Sequence, residues 1–351
     1  MKKKLEDIDF NFRKKKTEIS GMTTYDVLKP PFKIYGLKHG KNGFYRMDTE
    51  VTEKANDGVR ILNYNTAGGR IRFSTNSRRI ILTATLTDVF FMTHMPLTGS
   101  SSFSIYCNGE YCGVFRAASP KEYNGTWTSE LTLPEGEKDV VIFFPLYNNV
   151  KNVQISLERE ATLSEGKEYK TELPIVFYGS SITQGGCASQ PGNAYSAMLS
   201  RALDADFINL GFSGSCKGEL PMADYMGKLP MKLFVYDYDH NAPSSEFLGE
   251  THESFFVRFR SLNPTVPVIM LSVADKGFGE EEISKRKEII KKTYENALNS
   301  GDKNVYFIDG QEIYKETGLC NSTVDCCHPN DLGFFAFYKA IKETIERNNL
   351  I

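Results

Sequence analysis

Hydrophobic and polar positions follow two different rhythms along the 351-residue chain. From about residue 30 to 160 the apolar runs are short and separated by turn residues. Arg70-Ile71-Arg72-Phe73-Ser74 alternates. Ile80 to Leu86, Phe103 to Tyr106, Gly113 to Phe115, Trp127 to Leu133, Val140 to Phe144 and Val153 to Leu157 continue the series. No helical period of useful length interrupts them. Many short strands at this spacing predict an antiparallel sandwich or jelly roll. After residue 173 continuous apolar runs alternate with helical patterns. Ile175–Tyr178, Phe207–Leu210, Leu233–Tyr236, Val268–Leu271 and Val305–Ile308 read as buried strands. The segments near 193–203, 246–260, 280–299 and 331–347 read as helices. That order predicts a parallel sheet covered on both faces. The polar stretch 164–172 lacks apolar period and reads as a linker. The expected division is a β domain over 1–163 and an α/β domain over 173–351.

Composition narrows the picture. Forty per cent apolar and 12% aromatic residues suffice for two cores. A formal charge of −2 argues against nucleic acid as the main partner. The basic runs Lys2-Lys3-Lys4 and Arg13-Lys14-Lys15-Lys16 read as a solvated arm. No segment approaches a membrane span, and residues 1–20 lack the apolar core of a signal peptide. A cytoplasmic protein with no membrane partner is expected. Seven cysteines without framework spacing fit a reducing compartment. Cys107 and Cys112 flank a turn and could face each other across a hairpin.

In a parallel α/β sheet ligands bind at the carboxyl edge of the strands. Three short motifs fall there. Ser181 follows the first strand, Gly211-Phe212-Ser213-Gly214 the second, and Asp237-Tyr238-Asp239-His240-Asn241 the third. A serine hydroxyl becomes nucleophilic when a base takes its proton and a third group orients that base. Asp325-Cys326-Cys327-His328, shortly before the last helix, can supply both. The backbone N–H groups of Ser181 and Gly214 and the Asn241 amide could surround a developing oxyanion. Position 183 is Thr, so Gly-x-Ser-x-Gly is absent, which argues against an α/β-hydrolase elbow.

The four blocks Gly179-Ser180-Ser181-Ile182-Thr183-Gln184-Gly185, Asn209 to Gly214, Asp237 to Pro243 and Asp325 to Gly333 resemble the SGNH (GDSL-type) hydrolase family in order and spacing. The resemblance covers about residues 173–345. It implies a flavodoxin-like three-layer α/β/α fold. It also implies Ser181 as nucleophile, His328 as base, Asp325 as its orienting partner, and Ser181, Gly214 and Asn241 as the oxyanion hole. Gly43-Phe44-Tyr45-Arg46 and Asn63 to Phe73 resemble the jelly-roll domain that precedes the hydrolase domain in carbohydrate-active members. Ser180 and Ala242 depart from the commoner aspartates and point to the carbohydrate-esterase branch.

The expected activity is removal of acyl groups, chiefly O-acetyl, from a carbohydrate, with no metal or cofactor. The partner expected is that acylated carbohydrate; whether the chain forms an oligomer stays open. Trp127 and Tyr123 are candidates for stacking on sugar rings, against the commoner role of packing a core. His240 reads as structural or substrate-facing. Cys320, Cys326, Cys327 and His328 lack zinc-ligand spacing. Two other readings stay open: a carbohydrate-binding protein with a vestigial hydrolase domain, and a lipase or thioesterase on the same fold.

Overall fold

A computed structural model describes residues 19–351. The basic runs at 2–4 and 13–16 lie outside them. The antiparallel half holds two main sheets. The first has the order Met22–Asp26, Asn149–Glu158, Arg79–Thr87, Gly125–Thr132. The second runs Leu163–Ser164, Arg70–Thr75, Lys138–Phe143, Phe103–Cys107, Glu110–Phe115, with Lys33–Tyr35 also on Arg70–Thr75. Alternate residues face inward, as a pleated sheet with one buried face requires. Ile80, Leu82, Ala84 and Leu86 share one core with Ile71, Phe73, Val140 and Ile142.

The parallel half has the strand order Ala205–Gly211, Thr171–Gly179, Leu233–Asp237, Val268–Leu271, Val305–Ile308. This 2-1-3-4-5 order is flavodoxin-like, and its switch point lies beside the first strand. Successive residues of that strand serve opposite faces. Ile175 and Phe177 pack with the helices Tyr195–Leu203 and Asp331–Arg347. Val176 and Tyr178 pack with Leu220–Met226 and Ser245–Leu262. The helices expected near 193–203, 246–260, 280–299 and 331–347 all form. Among the described residues no helix is long and apolar enough to cross a membrane.

The antiparallel half departs from expectation in one respect. Two helices, Thr49–Ala55 and Asp57–Leu62, interrupt its strands. At seven and six residues each is too short to display a helical period. They are held by docking. Met47 and Val59 are fully buried in the core of the parallel half, and Asn56 caps the second helix by accepting from Val59 N.

The two halves are fastened by buried arginines. The Arg46 guanidinium donates to the carbonyls of Asn209, Gly211 and Leu62 and lies 3.9 Å from the Phe212 ring. Carbonyls at a strand end present the negative ends of peptide dipoles, so the cation is solvated without a carboxylate. Burial still lowers its pKa to about 9. Arg70 donates to Gly68 O and Phe207 O and pairs with Asp206. Gly68 (φ +81°) passes so near Asn209 that a Cβ there would sit 2.6 Å from the Asn209 Cβ. The two segments noted as resembling a jelly-roll domain are thus the ones that clamp the strand ahead of Gly214.

Candidate active site

Ser181 opens a four-residue helix, Ser181–Gln184, directly after the first parallel strand. Ser180 is its N-cap, with the hydroxyl accepting from Ile182 N at 3.1 Å. The N-cap role needs a short oxygen-bearing side chain, which serine supplies in place of the family's commoner aspartate. The Ser181 carbonyl accepts from Gly185 N and Gly186 N, each at 2.9 Å, and from Tyr147 OH at 3.2 Å. Tyr147 comes from the antiparallel half. The hydroxyl is left facing the rim.

Ser181 Oγ lies 2.9 Å from His328 Nε2, and His328 Nδ1 lies 2.7 Å from Asp325 Oδ2. The pair is built by the loop before the last helix. Asp325 Oδ1 accepts from Cys327 N at 3.1 Å and His328 N at 2.7 Å. Cys326 takes a left-handed conformation (φ 67°) that folds the ring back onto its own carboxylate. Val324 N to His328 O and Cys187 N to Pro329 O, both 2.9 Å, pin the loop. Asn330, not Asp325, caps the helix by accepting from Leu332 N and Gly333 N. Burial alone would raise the Asp325 carboxyl, but hydrogen bonds from the His328 ring and two backbone N–H groups hold it below its usual range.

Gly214 (φ +62°) is exposed, and a Cβ there would meet nothing within 4 Å. Among the described residues neither Ser181 N–H nor Gly214 N–H has a hydrogen-bond partner. Asn241 Nδ2 donates to Phe212 O at 3.0 Å, using one of its two hydrogens. That bond ties the third block to the loop carrying Gly214. Ser181, Gly214 and Asn241 each follow a strand end at the carboxyl edge of the sheet, and Ser181, His328 and Asp325 form one bonded chain.

Several supporting residues were not legible beforehand. Gln184 donates to Asn65 Oδ1 and Leu146 O and accepts from Ser213 N, linking both halves to the Gly214 loop. Arg286 donates to Asp239 and to Ala242 O, fixing the segment that presents Asn241. It stands on a helix in an ordinary amphipathic pattern, with no local signal. His94, from the antiparallel half, has its ring centre 5.4 Å from that of His328.

Other candidates resolve differently. His240 is buried against Asp275, and its Nδ1 has no partner among the described residues. Burial lowers its pKa, but the Asp275 carboxylate outweighs this and the net shift is upward. Burial pushes the Cys187 and Cys327 thiols up to about 12, so neither is a thiolate near neutral pH. Cys107 and Cys112 are free. Trp127 and Tyr123 are not cleft residues: both are buried in the sandwich core, 5.6 Å apart between ring centres. Aromatic area gains more from the core than from solvent.

Comparison with known proteins decides the family. The profile of the GDSL-like lipase/acylhydrolase family matches residues 172–346. That described as the N-terminus of SGNH-hydrolase-type esterases matches residues 22–163. The chain belongs to the GDSL-like lipase/acylhydrolase family. Membership places it among carboxylic ester hydrolases. No curated protein sequence matches it. A structure from Bacteroides ovatus classed as a GDSL-like lipase is 28% identical, with TM-score 0.83, over 93% of this chain and 97% of that one. The salicylyl-acyltransferase of a tetracycline biosynthetic pathway is 18% identical, with TM-score 0.78, over 95% and 99%. A family two carbohydrate esterase from Clostridium thermocellum is 14% identical, with TM-score 0.64, over 92% and 99%. The last two share the fold of this family member.

Proposed function

We propose that the chain is a serine esterase that removes O-acetyl groups from a carbohydrate through an acyl-enzyme. The observation that carries this reading is the continuous relay from Ser181 Oγ through the His328 ring to Asp325. Asp325 accepts from Nδ1–H and so keeps the Nε2 lone pair directed at the hydroxyl. His328 takes the proton as Ser181 Oγ attacks the ester carbonyl. The oxyanion forms among Ser181 N–H, Gly214 N–H and the free amide hydrogen of Asn241. His328 then protonates the leaving sugar oxygen, and water repeats the cycle on the acyl-enzyme. No step calls for a metal or cofactor.

The carbohydrate assignment rests on the likeness to the esterase from C. thermocellum, whose active-site mutant is described in complex with an oligosaccharide. The antiparallel half, taken as a domain over 1–163 and joined by 164–172 to a hydrolase domain over 173–351, supplies Tyr147 and His94 to the site. The expected preference for acetyl is tested by hydrolysis of esters of increasing chain length. Ser181→Ala should abolish hydrolysis on all of them, and equal rates for the two proteins would end the assignment. A second reading is acyl transfer to an alcohol other than water, favoured by the likeness to the salicylyl-acyltransferase. Adding acceptor alcohols separates the two: a transferase forms new ester, whereas the esterase releases free acid.

A further inference from the structure

We infer that His94, Asp325 and His328 form a binding site for a divalent ion of the zinc class, and that its occupancy reversibly shuts off the esterase. The inhibition rests on the triad reading above; the binding does not. His94 lies between the strand Arg79–Thr87 and the helix Leu97–Ser100. The fold carries it across to the loop of the other half. One ring nitrogen of each histidine and one Asp325 oxygen all lie within 4.8 Å of one another. Tetrahedral zinc, with bonds of about 2.0–2.1 Å, holds its ligands roughly 3.4 Å apart. The exposed His94 ring swings in to close its side of the site, while Asp325 Oδ2 and His328 Nδ1, 2.7 Å apart, part slightly to admit the ion. Two imidazoles and one carboxylate suit zinc-like ions, with a fourth position for water. Magnesium and calcium prefer a larger set of oxygens.

Inhibition follows from proton bookkeeping on the ring. In the working state the neutral imidazole carries its proton on Nδ1, facing Asp325 at 2.7 Å. An ion that takes the Nδ1 lone pair displaces that proton, and the neutral ring keeps it on Nε2. Nε2 then faces Ser181 Oγ with a hydrogen in place of a lone pair and cannot accept the hydroxyl proton. The Nδ1–H bond is exchanged for an Nε2–H bond, the ring keeps one proton and no heavy-atom bond changes, so removing the ion restores activity. His94 stands outside the bonded relay of Ser181, His328 and Asp325, which makes it the residue to alter.

The test is zinc titration of the intact, metal-free chain by calorimetry, alongside hydrolysis of 4-nitrophenyl acetate at rising ZnCl2. Wild type should bind one ion per chain and lose activity as it fills, with recovery on adding chelator and no response to MgCl2. Ser181→Ala should bind zinc like wild type. The zinc response of His94→Ala and His94→Gln is read against each variant's own zinc-free rate. Both should bind zinc at least about tenfold more weakly and resist inhibition in proportion. Zinc taken up by the exposed thiols Cys320 and Cys326 would be indifferent to His94, and that result overturns the site, as does absence of binding to wild type. Undiminished hydrolysis by Ser181→Ala would instead overturn the triad reading.

Discussion

Replacing Asp325 with asparagine tests the tautomer argument most sharply. The change is nearly isosteric, yet the surroundings dictate which way the amide turns. Asp325 Oδ1 accepts from two backbone N–H groups, at 2.7 and 3.1 Å. The asparagine oxygen must stay there, because an NH2 group would oppose two donors. The amide nitrogen therefore faces His328 Nδ1 and donates to it. The ring responds by carrying its proton on Nε2, against the Ser181 hydroxyl. A triad locked in the wrong tautomer loses about 10⁴ in kcat, or roughly 5.5 kcal/mol of transition-state stabilisation. Stability should change by less than about 1 kcal/mol, since the site is partly exposed and the backbone bonds survive. The Asp325 side chain is 36% exposed, so in Asp325→Ala water can meet Nδ1–H and leave the working tautomer accessible. Alanine should retain at least as much activity as asparagine. The assay is kcat on 4-nitrophenyl acetate, with a urea melt to confirm folding. A folded Asp325→Asn protein keeping more than a tenth of wild-type kcat, or exceeding Asp325→Ala, refutes the reasoning.

Other consequences follow from the same geometry. Asn241→Ala should lower kcat by about 10²–10³ with little change in KM, read in steady-state kinetics. Gln184→Ala leaves the buried Leu146 O and the half-buried Ser213 N without their partner. It should cost about 3 kcal/mol in denaturant unfolding and also lower activity by loosening the Gly214 loop. The His240–Asp275 pair predicts a pH-dependent stability. His240 has a raised folded pKa, so its contribution is full below the ordinary histidine value of 6.5 and lost as pH rises through the folded value. Asp275 is held below 3.8 because bonds and charge from His240 outweigh burial, so its contribution is present above that value and lost in acid. Asp275→Asn should therefore lower Tm more at pH 6 than at pH 9, and an equal loss at both would contradict the pairing.

Much of the fold was legible because its signals are local. The parallel strands are unbroken apolar runs, and the antiparallel ones alternate, so the expected segments form with bounds shifted by a few residues. The chemistry-bearing residues were legible for a related reason: each follows a strand end or precedes a helix cap. What the sequence hid was non-local. The helices Thr49–Ala55 and Asp57–Leu62 are stabilised by docking onto the other half rather than by their own period. Gln184 and Arg286 act through partners more than 25 residues away, and nothing in their neighbourhood marks them. Trp127 and Tyr123 misled because an aromatic on a strand has the same signature whether it faces a cleft or a core.

The account turns on Ser181 as the nucleophile. A fluorophosphonate, which bonds to an activated serine, should label the protein once, and peptide mass spectrometry should place the adduct on Ser181. Ser181→Ala and Asp325→Asn should both suppress labelling. An adduct on another residue, or none at all in a protein that still hydrolyses esters, would contradict it.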